Sequence, residues 1–449
     1  MDKYSSYKPS GIEWLETIPE NWEVSKLKYL GNLFGGLTGK SGGDFNNDEN
    51  PKNKPYIPYT NIFNNTYISK DHFHYVSIED GESQNRVKKN DMFFLMSSET
   101  HKDLGKSCIL IDDVDELYLN SFCKGYRIKD KNIQPLFLNY QILGHLHREM
   151  ISVEGKGFTR INLRQDKLND LFVFYPPLQE QEQIVKFLDE KTTIIDKLIS
   201  TKQRKVELLK EQRTSLINEV ITKGLNPNVK MKDSGVEWVE KIPDRWETSK
   251  LKYNGLFFSG YSFDSGDFLS EGKIRVIKIS NIQNNGISWE DLSFVPDEFY
   301  EKHKNFIVNK GDLIFVLTRP IISTGIKICF YNENYQVLLN QRNSVFRTNP
   351  NKLNRHFTYY LVRTTYFIEE FKQQLKETNQ PNISSEQISN IRMFLPPILE
   401  QQEIVDYLDK HTKEIDDLVS MEQKKIELLK EYRQSLISEV ITGKIKVVE

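Results

Sequence analysis

Three cysteines in 449 residues leave no material for a disulfide framework, and Cys108, Cys123 and Cys329 have no paired spacing that would suit zinc. No apolar run approaches the length needed to cross a bilayer. The N-terminus lacks a basic, then apolar, leader, so no signal peptide is expected. These gaps together predict a cytoplasmic protein without a membrane partner. Charge of one sign is also missing: 61 basic against 63 acidic residues give a net charge of −2. That argues against a generic basic nucleic-acid binder without excluding one, because any such affinity would come from local clusters.

Catalytic patterns are equally scarce. The stretch Gly35-Gly36-Leu37-Thr38-Gly39-Lys40-Ser41 resembles a phosphate loop, yet Phe34 stands where that motif has its first glycine. Tyr175-Pro176-Pro177-Leu178 and Leu395-Pro396-Pro397-Ile398 lack the Asn or Asp that would hold an adenine amino group. His72/His74 and His145/His147 have no acidic partner at metal-ligand spacing, so they are expected at the surface or partly buried. No Ser-His-Asp set and no carboxylate pair is visible. No catalytic residue and no metal ligand is assigned.

What the chain does have is a repeat. Residues 180–222 and 400–442 align without a gap, with 26 of 43 positions identical. Neither copy contains Gly or Pro, and both are rich in good helix formers. Pro176-Pro177 and Pro396-Pro397 stand at the helix starts, and Gly224 and Gly443 just past the ends. Apolar residues recur at 4-3 spacing, the mark of a coiled-coil seam. The first seam is Ile195, Ile199, Val206, Leu209, Leu216 and Val220, with Lys202 and Arg213 interrupting it. The second is Ile415, Val419, Ile426, Leu429, Leu436 and Val440, interrupted by Glu422 and Arg433. Leu198, Leu208, Ile217 and Ile221, with their second-copy partners, widen the apolar face. A helix of this length cannot bury its stripe alone, and the other copy is its most economical partner.

The repeat extends into the globular parts. Ser10-Gly11-Ile12-Glu13-Trp14 returns as Ser234-Gly235-Val236-Glu237-Trp238, and Lys26-Leu27-Lys28-Tyr29 as Lys250-Leu251-Lys252-Tyr253. Beyond these anchors only isolated matches survive: Asn61-Ile62 with Asn281-Ile282, Asp91 with Asp312, Asn120 with Asn340, Arg127 with Arg347, and Asn162 with Asn382. The helix is kept and the globe changes, which suggests one shared task and one task that differs. Strands are expected at 56–59, 92–96, 107–111 and 117–119, then a helix over 135–151. In the second half they fall at 274–279, 313–317, 326–331 and 337–339, then a helix over 355–375. The class is α+β.

Loops rich in Asn, Gln, Ser, Thr, Lys and Arg lie beside these strands. Such side chains suit base edges and phosphates. The candidates in the first half are Ser97, Ser98, Thr100, His101, Lys102, Lys106, Lys156, Thr159, Arg160, Asn162 and Arg164. In the second half they are Thr318, Arg319, Thr324, Asn340, Gln341, Arg342, Asn379, Gln380 and Asn382.

The chain resembles the specificity subunits of type I restriction-modification enzymes. The resemblance is carried by Ile18-Pro19, Trp22-Glu23 and Leu27 and their copies Ile242-Pro243, Trp246-Glu247 and Leu251. It is carried further by Pro176-Pro177, Glu180-Gln181 and Ile184-Val185, by Pro396-Pro397, Glu400-Gln401 and Ile404-Val405, and by the endings Leu216-Ile217 and Leu436-Ile437. Asn382-Ile383-Ser384 also fits, whereas the first half departs with Asn162-Leu163-Arg164. The resemblance implies two similar target recognition domains, residues 1–176 and 225–396, separated by spacer helices at 177–224 and 397–443, with a tail at 444–449. It implies that the helices pack as an antiparallel coiled coil in a pseudo-twofold repeat. It implies double-stranded DNA as the target, with two methyltransferase subunits and two restriction subunits as partners. S-adenosylmethionine, ATP and magnesium would be bound by those partners and not by this chain. A dumbbell-shaped adaptor whose heads bind proteins is the alternative.

Overall fold

The computed structural model describes residues 2–447 apart from 46–49, 158, 284–285, 324 and 376–380. The chain forms two compact units, residues 1–203 with 424–449, and residues 204–423. Each unit takes in a stretch from each long helix, Leu178–Lys223 and Ile398–Ile441.

In the first unit an antiparallel four-stranded sheet runs in the order Gly31–Gly35, Cys123–Ile128, Met92–Leu95, Ser107–Ile109. The strand Met92–Leu95 is buried throughout, as its unbroken apolar run requires. A second sheet pairs Asn53–Ile57 with Tyr118–Leu119 in parallel and with His74–Ser77 antiparallel. Glu23–Lys26 pairs with Phe172–Tyr175, which leads through Pro176-Pro177 into the long helix. Trp22 is fully buried and stacks on Phe174 at 6.2 Å.

The second unit repeats this plan. Its four-stranded sheet runs Gly255–Ser259, Asn343–Thr348, Leu313–Val316, Ile328–Phe330. Ile274–Ile277 pairs in parallel with Val337–Leu339 and antiparallel with Phe294–Val295. Glu247–Lys250 pairs with Arg392–Leu395 at the start of the second long helix.

Among the scattered matches between the halves, Asn61 and Asn281 and Asp91 and Asp312 turn out to be a buried polar frame. Asp91, 1% exposed, holds Arg127 through Nε and Nη2 at 2.8 and 2.6 Å. Asp312 holds Arg347 in the same way at 2.8 and 2.7 Å. Asn61 bonds both backbone groups of Ser69, and Asn281 ties Lys278, Ser288 and Asp291. A buried polar group must be partnered, which accounts for the same residues standing at these places in both halves while the surface around them differs.

The expected helix over 135–151 is two helices, Pro135–Leu143 and His145–Val153. Gly144 between them is extended, and a Cβ there would meet Ile441 Cδ1 at 2.2 Å. The end of the second long helix therefore needs the break and the glycine. The second unit breaks at Thr364, again with helices on either side, Arg355–Leu361 and Thr365–Gln373.

Within the first unit the helix stretches run antiparallel. Arg433 Nε and Nη2 reach Asp196 at 2.9 and 3.2 Å, while Gly443, beyond the second helix, packs against Pro19 and Trp22 near the start of the first. Within the second unit Lys205 bonds Glu422 at 3.0 Å and Arg213 bonds Asp416 at 2.9 Å, also antiparallel. Nine of the seam residues are buried: Ile195, Ile199, Val206, Leu209, Val220, Ile415, Ile426, Leu436 and Val440. Leu216, Val419 and Leu429 are half-buried. The flanks divide. Ile217, Ile221, Ile437 and Ile441 are buried where a globe covers them, but Leu198, Leu208, Leu418 and Leu428 are exposed. A helix pair covers only a narrow seam, so apolar residues beside it face outward.

His147 is fully buried, not partly so as expected from its sequence setting. Its Nε2 lies 2.8 Å from Phe172 O, so the ring proton sits on that nitrogen. Burial pushes its pKa down to about 4. The unfolded chain protonates near the ordinary value of about 6.5. Unfolding then takes up a proton, and the first unit should lose stability as pH falls from about 6.5 to about 4. The full loss is on the order of 3 kcal/mol. Urea midpoints followed by Trp fluorescence should show that slope, and His147→Gln should flatten it.

Candidate nucleic-acid interface

In the first unit the structure gathers two of the candidate loops. Ser97–Ser98 pairs antiparallel with Ile161–Asn162, and Leu163 N–H donates to Met96 O at 2.9 Å. Lys156 and Asn162 exchange both backbone hydrogen bonds, closing a short hairpin. Gly157 takes φ 144° there, and a Cβ would meet Arg160 O at 1.9 Å, so only glycine fits. Lys156, Thr159 and Arg160 are exposed on this hairpin, with Asn162 and Arg164 following. Arg164 is engaged by Asp166 at 3.0 and 2.6 Å.

The neighbouring loop is pinned from behind. Arg148 Nη2 donates to Lys102 O and Leu104 O at 2.7 and 2.6 Å. Burial brings the Arg148 guanidinium down to about 10. His101 Nδ1 lies 3.0 Å from Ser152 O, and Thr100 Oγ1 donates to Asp103 at 2.6 Å. Lys102 is exposed. Two candidates turn inward: Ser98 is buried, and Lys106 is half-buried over the Phe63 ring at 4.8 Å, its pKa lowered by burial. Sequence reasoning passed over Arg148, since an arginine on an amphipathic helix gives no sign that it braces a loop.

The second unit builds a corresponding cluster. Thr318 bridges Asn382, Arg319 N–H donates to Pro381 O at 2.9 Å, and Leu317 N–H donates to Arg342 O at 2.9 Å. Arg319 is exposed and adopts φ 49°, a backbone setting uncommon outside glycine. Such strain often sits at functional loops. Gln341 and Arg342 are exposed, while Asn340 bonds Arg342 N–H through its own side chain at 3.3 Å. Thr324, Asn379 and Gln380 lie outside the described residues.

The glycine-rich stretch serves packing. A Cβ on Gly36 would meet Asn120 O at 2.1 Å. Lys40 is paired with Glu82 at 2.5 Å, and that contact, with bonds from Gln84 and the Glu79 N–H, holds the Glu82 carboxyl at about 2. Cys108, Cys123 and Cys329 sit in the cores, and burial pushes the Cys123 and Cys329 thiols up to about 12. Among the described residues no cluster of three or more His, Cys, Asp or Glu could hold a metal, and no helix is long and apolar enough to cross a membrane.

The chain is thus a doubled α+β domain with polar loop tips and paired long helices. The type I restriction modification DNA specificity domain matches residues 19–208 and again 243–429, so the chain belongs to that family. It is similar to the MjaVIII type I specificity subunit of Methanocaldococcus jannaschii, 28% identical over 96% of this chain and 94% of that one. The EcoAI specificity subunit of Escherichia coli is 28% identical over 45% of this chain and 35% of its own length. A solved chain from a study of assembly and conformational transition in the type I restriction-modification system aligns with TM-score 0.73 at 14% identity. It covers 95% of this chain and 99% of that one. The HsdS subunit of Thermoanaerobacter tengcongensis aligns with TM-score 0.52 at 14% identity, over 95% and 98%. The chain is a type I specificity subunit, and the protein-binding adaptor is not favoured.

Proposed function

We propose that each unit reads one of two short, unlike DNA half-sites, and that the helix pair sets the unspecified spacer between them. The observation that carries this reading is a repeated frame with unrepeated tips. Asp91–Arg127 and Asp312–Arg347, Asn61 and Asn281, and Asn120 and Asn340 recur, while the loops they support share little sequence. A constant frame with variable tips is what reading two different sequences in one manner requires. The exposed candidates, among them Lys102, Lys156, Arg160, Arg319, Gln341 and Arg342, supply donors, acceptors and charges for bases and phosphates.

The long helices serve the task common to both halves. Leu198 and Leu428 are exposed in the first unit, and Leu418 and Leu208 in the second, so each unit offers an outward apolar pair of the same composition. These pairs suit docking of one methyltransferase subunit apiece. The methyltransferases would bind S-adenosylmethionine, flip out an adenine and methylate its N6. Two restriction subunits using ATP and magnesium would complete a cytoplasmic assembly. The net charge of −2 leaves much phosphate neutralisation to those partners. This chain alone should bind DNA weakly, with a modest salt dependence.

Replacing residues 225–395 by the same region of a relative should change one half-site of the methylation motif and leave the other intact. Methylation mapping of host DNA reads both at once. A change in both half-sites, or in neither, would overturn the modular reading.

A further inference from the structure

Both units build one turn in the same way and place different chemistry on it. In the first unit Cys123 N–H donates to Asn120 O at 3.1 Å, and Phe122 N–H to Asn120 Oδ1 at 2.9 Å. In the second, Asn343 N–H donates to Asn340 O at 3.0 Å, and Arg342 N–H to Asn340 Oδ1 at 3.3 Å. Each turn is clamped from one side by a glycine. A Cβ on Gly36 would strike the Asn120 carbonyl at 2.1 Å, and one on Gly260 the Asn340 carbonyl at 2.3 Å. The strands that follow keep the same register, Cys123 opposite Leu95 and Asn343 opposite Val316. Phe122 therefore occupies in its unit the place that Arg342 occupies in the other.

Arg342 is beside the strand end that carries Thr318 and Arg319, through the Leu317 N–H bond to its carbonyl. In the first unit the matching strand end runs on to Ser97–Ser98 and the exposed hairpin. Phe122 is 59% exposed at this place. An exposed apolar side chain alone says little. A phenyl ring held outward on a clamped, hydrogen-bonded turn beside the candidate reading loops is a different matter.

We infer that Phe122 is a specificity-determining residue: its ring makes an apolar contact with a base in the half-site read by the first unit. Arg342 makes a hydrogen-bonding contact from the same turn in the second unit. A ring of this kind can lie on a thymine methyl group or on the face of a base at an opened step. It cannot read a donor or acceptor. A guanidinium at the matching place suits guanine. The two half-sites would thus be read at this position by opposite chemistries, although one turn presents both.

The inference rests on the DNA-reading function proposed above, and its test separates the two. The full chain, assembled with methyltransferase subunits, is measured on its mapped target and on single-base variants. Phe122→Ala should lower affinity about tenfold for the native target and flatten the preference at one base pair of the first half-site only. Phe122→Tyr should restore most of it. Uracil in place of thymine at that pair should reproduce the loss if the ring meets the methyl group. An Ala-sensitive but uracil-indifferent site would place the ring on a base face. If the wild-type assembly binds its target selectively and Phe122→Ala keeps every preference, the role assigned to Phe122 is wrong. If the wild-type assembly shows no sequence selectivity at all, the DNA-reading function falls instead.

Discussion

Insertion of one heptad into each long helix at matched positions, within 202–213 of the first and opposite it in the second, should abolish modification at the native site while the protein stays folded. The matched design keeps the seam in phase on both helices. Within the second unit it also respects the antiparallel register marked by Lys205–Glu422 and Arg213–Asp416, and in the first that of Asp196–Arg433. Seven helical residues add about 10 Å. That is close to the rise of three base pairs at ~3.4 Å each. Three base pairs also turn the duplex by roughly 100°. If the helices set the spacer as proposed, the lengthened pair no longer matches the native separation and rotation of the half-sites. The expected result is native-site methylation at background with an unchanged thermal midpoint. A single-helix insertion would also remove methylation, but through loss of pairing, and would lower the midpoint. Full methylation from the matched variant would show that the helices do not measure the spacer.

The helices and their pairing were legible because repetition and 4-3 spacing are dense signals in Leu, Ile, Lys and Glu. So were the buried strands at 92–95 and 313–316, which are unbroken apolar runs. The strands Cys123–Ile128 and Asn343–Thr348 escaped notice for a physical reason. They carry Lys124, Gly125 and Arg127, or Asn343, Ser344 and Arg347, and their polarity is absorbed by partners far along the chain. Arg127 is neutralised by Asp91, and Gly125 is the bed for the Phe34 ring. Loop composition pointed to the hairpin of Lys156 and Arg160 and to the Arg319 turn, and the structure displays all three at the surface. It also selected Ser98 and Lys106, which the fold draws inward, and did not select the exposed Phe122, because it looked for polar side chains alone. Composition cannot distinguish a polar residue that supports a loop from one that is displayed by it.

The joint between each globe and its helix should prove the most sensitive single position. Gln181 and Gln401 are fully buried at the starts of the two long helices. Gln181 Oε1 accepts from Gln134 N–H at 2.9 Å, and its Nε2 donates to Asn132 O and Pro176 O, both at 2.8 Å. Gln401 does the same with Asn354 N–H, Lys352 O and Pro396 O at 2.8, 3.0 and 2.8 Å. One side chain thus ties the lead-in to a globe helix, the turn before it and the strand exit into a single socket. Substitution by Met preserves volume and removes every bond. The proline carbonyl then stays buried without this partner, and the two other backbone groups, part-buried, lose theirs, each costing up to about 1–3 kcal/mol. Gln401→Met should therefore destabilise the second unit by roughly 4 kcal/mol, a large share of the 5–15 kcal/mol typical of a domain. Gln181→Met should do the same to the first. Trp22 and Trp246, buried one in each unit, provide separate fluorescence reporters in variants whose four other tryptophans are replaced by Phe. Each Gln variant should shift the urea midpoint of its own unit's reporter. Glu would be a harsher test, because a carboxylate at that position can accept from the one N–H but repels both carbonyls. A Met variant with an unshifted midpoint would mean that water or a local rearrangement can replace the socket, and the geometry of the head on its helix would then have to be set by packing alone.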